Sequence, residues 1–248
     1  MAGFVAFCIL LPLLGTVLGS AAVFFLPGGI SHRLHRALSG FAAGVMTAAS
    51  IWSLLIPAME RSAELGAMAF LPASAGFWLG LLFLAGLDRV VPVRESLSGS
   101  RLTFAVTLHN FPEGMAVGAV CAGLLAGDPG LSSAGTVALS LGIAVQNIPE
   151  GAIISLPMTS AGSSRWSGFL AGALSGVVEP LGAGLTLWLA GLLIPTLPWM
   201  LSFAAGAMLF VVVEELIPAL ARQEGDHGGT ACFALGFTLM MALDVALG

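Results

Sequence analysis

Long apolar segments follow one another along the whole chain, and short stretches that contain Arg, Pro and Gly separate them. The 248 residues are 58% hydrophobic and only 8% charged, whereas about 25% of the residues in a soluble domain are charged. This pattern predicts an all-α polytopic membrane protein, one transmembrane domain over residues 1–248, and it excludes a soluble enzyme. The excess of 13 acidic over 8 basic residues offers no basic surface for nucleic acid.

The apolar segments are each long enough for a spanning helix, which needs about 20 mostly apolar residues. We expect eight transmembrane helices, at residues 4–26, 36–59, 71–88, 102–126, 135–159, 167–194, 198–221 and 229–247. All eight basic residues are Arg. If the N-terminus lies outside the cytoplasm, every inner connection carries Arg and only Arg61 falls outside, which follows the positive-inside rule. Both termini are therefore expected to be extracytoplasmic, in a multi-pass protein of a bacterial inner membrane.

One six-residue phrase occurs twice, as His109–Gly114 in the fourth helix and Gln146–Gly151 in the fifth. Each copy reads polar-Asn-apolar-Pro-Glu-Gly and places a carboxylate, Glu113 or Glu150, near the middle of the bilayer. Glu179 reaches the same depth on the sixth helix, and no Arg or Lys lies there to pair with these acids. Because a buried, unpaired carboxylate must either take up a proton or bind a cation, the phrases predict a cation site.

Helical spacing brings further ligands to this site, since residues i and i+4 share a helix face. His109 then lies beside Glu113 and Gln146 beside Glu150, while Asn110 and Asn147 point to where a second ion would fit. Oxygen ligands with one imidazole and no thiolate suit Zn²⁺, Fe²⁺, Mn²⁺ or Cd²⁺. Pro112 and Pro149 are expected to kink their helices.

Several other polar positions suggest a path for the ion. Met46 on the second helix would either add a thioether ligand or serve ordinary packing. Asp88, Glu214 and Glu215 lie toward the inner side and are candidates for an exit pathway, although each would also fit a solvated group. Asp244, near the outer end of the last helix, would serve an entrance or simply face water.

The two phrases resemble the signature of the ZIP (Zrt/Irt-like) metal transporters, and the stretches 213–218 and 240–248 look like the bacterial GufA-type branch. The resemblance implies a 3+2+3 helix bundle with inverted repeats, import of zinc and related divalent ions, and a two-metal centre between helices four, five and six. One metal would be held by His109, Glu113, Gln146 and Glu150, with Met46 as an addition. The other would be held by Asn110, Glu113, Asn147, Glu150 and Glu179.

Two departures from the family pattern concern the ligands and a loop. Many members carry His where this chain has Gln146, a weaker ligand, and the His-rich loop between helices three and four is absent. The resemblance implies transport of a metal substrate with no cofactor. A channel-like facilitator and, with less support, an intramembrane zinc hydrolase remain alternatives, and the Gly-rich helix faces would fit either internal packing or a homodimer.

Overall fold

The computed structural model describes residues 1–26, 31–90, 98–193, 196–220 and 227–247, apart from the side chains of residues 88, 90, 98–106, 108, 109 and 190–193. Every regular element in these ranges is helical. The long helices are α1 (Ala2–Ser20), α2 (His32–Glu60), α3 (Phe70–Val90), α4 (Ser98–Leu125), α5 (Ser133–Ser160), α6a (Arg165–Ser175), α6b (Val178–Leu193), α7 (Leu197–Leu220) and α8 (Gly228–Leu247).

Seven helical spans in the described ranges are long and apolar enough to cross a membrane, which makes this a multi-pass membrane protein. They begin with α1 and its 3₁₀ extension and include α2, α3, α5, α6a with α6b, α7 and α8. The 28-residue helix α4 is not among them. The count of eight spans and the direction of the termini therefore stay predictions, as does the division of the chain into one domain.

The helix starts follow ordinary capping chemistry where the chain re-enters the bundle. The hydroxyls of Ser31, Ser132 and Ser164 accept hydrogen bonds from backbone N–H groups three residues further on. Such caps satisfy N–H groups that have no partner within the helix. The short polar connections therefore fix where α2, α5 and α6a begin.

Four pairs of helices make the most extensive contacts: α1 with α5, α2 with α8, α3 with α7, and α4 with α6b. Glycines permit the close approach in each pair. A Cβ at Gly15 would collide with the carbonyl oxygen of Ala144, and one at Gly114 would collide with the carbonyl oxygen of Glu179. Because backbones touch directly, side chains near these crossings have little freedom to move.

The backbone irregularities differ in part from those expected. The helices run through Pro112 and Pro149, and the kinks expected there stay predictions. The expected helix 167–194 is divided between α6a and α6b, so that Glu179 lies in the first turn of α6b. Two π-helical segments interrupt α2 at Ser50–Leu55 and α7 at Val212–Leu216. π-Helical turns inside α-helices often mark functional sites.

Candidate metal site

Six polar side chains from α4, α5 and α6b are buried in the bundle. Each is at most 6% exposed. They are Asn110, Glu113, Gln146, Asn147, Glu150 and Glu179. All six were singled out by the sequence, and the structure places all six among buried residues.

Hydrogen bonds join these residues across the helices. Gln146 Nε2 donates to Glu113 Oε1 over 2.6 Å, and Asn110 Nδ2 donates to Glu179 Oε1 over 3.1 Å. The carboxyl group of Glu113 also lies within electrostatic range of those of Glu150 and Glu179. The repeated phrases and Glu179 therefore meet in one cluster of three carboxyl groups.

The side-chain amides in this cluster point their NH₂ groups at surrounding acceptors. Asn147 Nδ2 donates to the carbonyl oxygen of Pro12 on α1 over 3.3 Å, and Asn110 Nδ2 also donates to the carbonyl oxygen of Ser175 over 3.2 Å. Each NH₂ group therefore has a backbone carbonyl as an acceptor, and that of Asn110 donates within the cluster as well.

Each of the six residues keeps one buried oxygen without a hydrogen-bond partner among the described residues. These atoms are Asn110 Oδ1, Glu113 Oε2, Gln146 Oε1, Asn147 Oδ1, Glu150 Oε2 and Glu179 Oε2. Leaving one buried polar atom unsatisfied costs about 1–3 kcal/mol, so six in one cluster call for a ligand. The six unpartnered atoms are all oxygens, which suits a cation that prefers oxygen ligands.

The carboxylates of the cluster do not suffice for a metal on their own. Among the side chains that the structure describes, no three from His, Cys, Asp and Glu lie close enough together to hold an ion. An ion in this cluster would therefore need the amide oxygens or His109. The side chain of His109 lies outside the described part of the chain, although its position on α4 is four residues before Glu113.

The other sequence candidates have different surroundings. Met46 is fully buried in the main apolar core, so its role as a ligand stays a prediction. Glu215 is half-buried and interacts electrostatically with Glu150, which connects the π-helical segment of α7 to the cluster. Glu214 is exposed, and the side chain of Asp88 lies outside the described residues.

A cavity of about 270 Å³ lies near the ends of α2 and α8. We call it the Asp244 cavity, and its lining includes Ser53, Glu60, Leu139 and Asp244. The hydroxyl of Ser53 lies 2.7 and 2.8 Å from the two carboxylate oxygens of Asp244. Asp244 therefore lines a cavity, and its role at an entrance stays a prediction.

The cavity and the cluster lie at different levels of α5. Leu139 lines the cavity, and Gln146 follows seven residues later, about 10 Å along the helix axis. Ile143 lies between them in sequence and is fully buried. Along α5, a buried apolar side chain therefore lies between the two features.

Sequence reasoning missed two contacts near these features. Thr16 Oγ1 on α1 donates to Glu179 Oε1 over 2.9 Å. The only signal for this contact in the sequence is a hydroxyl residue within an apolar helix. Arg61, the one arginine assigned to the outside, forms a bidentate ion pair with Asp128, with N–O distances of 2.6 and 3.0 Å. No motif links Arg61 to Asp128.

Comparison with known proteins identifies the relatives of this chain. Residues 88–244 match the protein-family model described as ZIP Zinc transporter. The chain is 36% identical to the zinc transporter GufA of Myxococcus xanthus, over 95% of this chain and 96% of the relative.

Two further relatives extend the comparison to other organisms. The chain is 33% identical to the zinc transporter ZIP11 of Homo sapiens over 94% of both chains. It is 34% identical to the zinc transporter ZIPB of Bordetella bronchiseptica, over 88% of this chain and 74% of that relative. With the repeated Pro-Glu-Gly phrases meeting in one buried cluster, these matches confirm that the chain belongs to the ZIP family of zinc transporters, in its GufA-type branch.

Proposed function

We propose that this protein carries Zn²⁺ across a bacterial cytoplasmic membrane into the cytoplasm, through the buried cluster on α4, α5 and α6b. The six unpartnered oxygens in that cluster are the observation that carries this proposal. A hydrated divalent ion cannot enter hydrocarbon, and these oxygens would replace part of its water shell. The names of the relatives, all zinc transporters, support zinc as the substrate.

The oxygen set also supports a centre for two ions. Glu113 and Glu150 would bridge, with His109 and Gln146 on one side and Asn110, Asn147 and Glu179 on the other. This arrangement requires the three carboxylates to lie closer around the second ion than they do in the described structure. The electrostatic contact of Glu113 with both other carboxyl groups is consistent with this division, because positive ions between them would offset their mutual repulsion. The same ligands would also accept Fe²⁺, Mn²⁺ or Cd²⁺.

The helix pairing supports the inverted repeat. In such a repeat, helix one would correspond to helix six, two to seven, three to eight and four to five. The α1–α5 pair would then correspond to the α6b–α4 pair. The α2–α8 pair likewise becomes the α7–α3 pair. The two π-helical segments lie on the corresponding helices α2 and α7. Each segment ends at the Leu of a Leu-Ile-Pro-Ala sequence, at 55–58 and 216–219.

The proposed route begins at the Asp244 cavity, crosses the cluster and leaves past Glu215, Glu214 and Asp88, with both chain termini outside the cytoplasm. Glu215 is the described exit candidate that interacts with the cluster. The buried Ile143, which lies between Leu139 of the cavity and Gln146 of the cluster along α5, is consistent with alternating access, because a channel-like facilitator needs a continuous opening. Counterflow of unlabelled zinc would distinguish them, since only a carrier exchanges ions across the membrane in this way.

An intramembrane zinc hydrolase is the alternative from a different class of protein. It would need a nucleophile or second acid apart from the ligands, and the described carboxylates of the cluster are all assigned to metal binding. Hydrolysis by the purified protein without metal flux would favour that alternative. A homodimer stays a proposal, since the glycines described in the helix pairs serve packing within the chain.

The decisive experiment is ⁶⁵Zn uptake into proteoliposomes that contain the wild type, Glu150→Ala or His109→Ala. We expect uptake by the wild type and loss of most uptake in both variants. Glu64→Ala is the matched control, because Glu64 is an exposed carboxylate in a connection outside the bundle. Wild-type uptake that persists in both variants would contradict the assignment of the site.

A further inference from the structure

A threonine on α1 contacts the buried cluster through Glu179. Thr16 is fully buried, and its Oγ1 donates to Glu179 Oε1 over 2.9 Å. The carbonyl oxygen of Pro12 lies 3.5 Å from the same hydroxyl, so the shorter contact to Glu179 receives the proton. We propose that Thr16 is a positioning residue that makes Glu179 a one-oxygen ligand and thereby favours zinc over larger divalent ions.

The backbone around Thr16 leaves its hydroxyl little freedom. A Cβ at Gly151 on α5 would collide with the carbonyl oxygen of Thr16, and one at Gly176 would lie 2.8 Å from its Cβ. Glycine at both positions is what lets α1 approach closely enough for the Thr16 hydroxyl to reach α6b. The side chain is therefore held from two sides, and its hydrogen bond is built into the packing of the bundle.

The two oxygens of Glu179 have different surroundings. Oε1 accepts hydrogen bonds from Thr16 and from Asn110 Nδ2, whereas Oε2 has no described partner. A carboxylate with one oxygen already bonded to two donors offers mainly the other oxygen to an ion. Groups that orient a metal ligand in this way typically change metal affinity by 10–100-fold when they are removed.

One-oxygen binding distinguishes ions by size. Zn²⁺ takes few ligands at about 2.0–2.2 Å from carboxylate oxygen, and one oxygen per carboxylate suffices. Larger ions such as Ca²⁺ take 6–8 oxygens and often use both oxygens of a carboxylate, and Cd²⁺ is likewise larger than Zn²⁺. Without the Thr16 hydrogen bond, Oε1 would become available, and the penalty against larger ions would fall.

The inference rests on the proposed function, and its test measures uptake of ⁶⁵Zn and ¹⁰⁹Cd by the same proteoliposomes. For Thr16→Val we expect the KM for zinc to rise roughly tenfold and the KM for cadmium to rise much less. Thr16→Ser keeps the hydroxyl and should restore the wild-type ratio. Thr136→Val is the matched control, because Thr136 is about as buried as Thr16 and its hydroxyl donates to the carbonyl oxygen of Ser132, the residue that caps its own helix.

The possible outcomes separate the inference from the proposed function. Equal changes for both metals in Thr16→Val, or no change in either, would overturn the role of Thr16. If Thr16→Val does not fold, Thr16→Ala gives the same comparison without the branched methyl group. A wild type that takes up no zinc would instead contradict the proposed function.

Discussion

Gln146 donates a hydrogen bond to Glu113 over 2.6 Å and so joins the second copy of the repeated phrase to the first. Its Nε2 is occupied by this bond, and its Oε1 is left without a described partner. The neutral amide therefore does two things at once: it orients a carboxylate and offers a weak ligand oxygen. A histidine, which many family members carry at this position, would offer a ring nitrogen to the ion.

Replacement of Gln146 by His should strengthen zinc binding, because imidazole is a better zinc ligand than an amide oxygen. We expect the half-saturating zinc concentration to fall roughly tenfold, or ~1.4 kcal/mol, and the preference for Zn²⁺ over Mn²⁺ to rise. The dependence of ⁶⁵Zn uptake on zinc concentration measures the first, and competition by unlabelled Mn²⁺ measures the second. Gln146→Ala, which loses the oxygen and the bond to Glu113, should move affinity the other way. Equal affinities in all three proteins would show that residue 146 does not contact the ion.

The buried polar cluster was predictable because its residues are close together in sequence, whereas their role as ligands stays a proposal. Asn110 and Glu113, or Asn147 and Glu150, share one helix turn, and an unpaired carboxylate in an apolar segment is conspicuous on composition alone. The fold class followed from the same apolar segments. Their number stays a prediction, since the described residues contain seven clearly apolar spans and α4, which carries polar residues of the site, is described only in part.

The supporting contacts were not predictable, because they depend on which helices pack together. Thr16 and Glu179 are 163 residues apart in sequence, and a single threonine in an apolar helix usually bonds to its own backbone. The π-helical segments were also missed, whereas the kinks expected at Pro112 and Pro149, which lie inside α4 and α5, stay predictions. Proline is visible in a sequence, but a π-helical turn is set by tertiary packing.

Replacement of Gly114 by Ala should damage the site through packing alone. The new Cβ would collide with the carbonyl oxygen of Glu179, so α4 and α6b would have to separate and the Asn110–Glu179 bond would lengthen. Overpacking of this kind costs about 1–3 kcal/mol. We expect a lower thermal midpoint in detergent and a higher KM for zinc.

Gly184→Ala provides the control for that experiment. A Cβ at Gly184 meets no described atom within 4 Å, and Ala is about 1 kcal/mol more favourable than Gly inside a helix. The thermal midpoint of this variant should stay level or rise slightly. If Gly114→Ala behaves like Gly184→Ala, the α4–α6b approach is not as tight as the structure indicates.

The Arg61–Asp128 pair should stabilise the end of the bundle next to the Asp244 cavity. Both side chains are largely buried, at 10% and 18% exposed, and Arg61 also donates to the carbonyl oxygen of Pro57 over 2.8 Å. A double-mutant cycle on thermal unfolding with Arg61→Ala and Asp128→Ala should give a coupling of ~1–2 kcal/mol, above the usual surface pair because the bond is bidentate and shielded. Additive effects of the two substitutions would mean that the pair contributes nothing to stability.

Replacement of Glu215 by Gln should slow release of the ion more than its capture. Glu215 lies in the π-helical segment of α7 and interacts electrostatically with Glu150, so its negative charge would draw a cation away from the cluster toward the proposed exit. Without that charge, we expect Vmax for ⁶⁵Zn uptake to fall severalfold while KM changes little, with Glu64→Gln as an exposed carboxylate control. A rise in KM at unchanged Vmax would instead place Glu215 among the groups that bind the incoming ion, and the exit assignment would have to be abandoned.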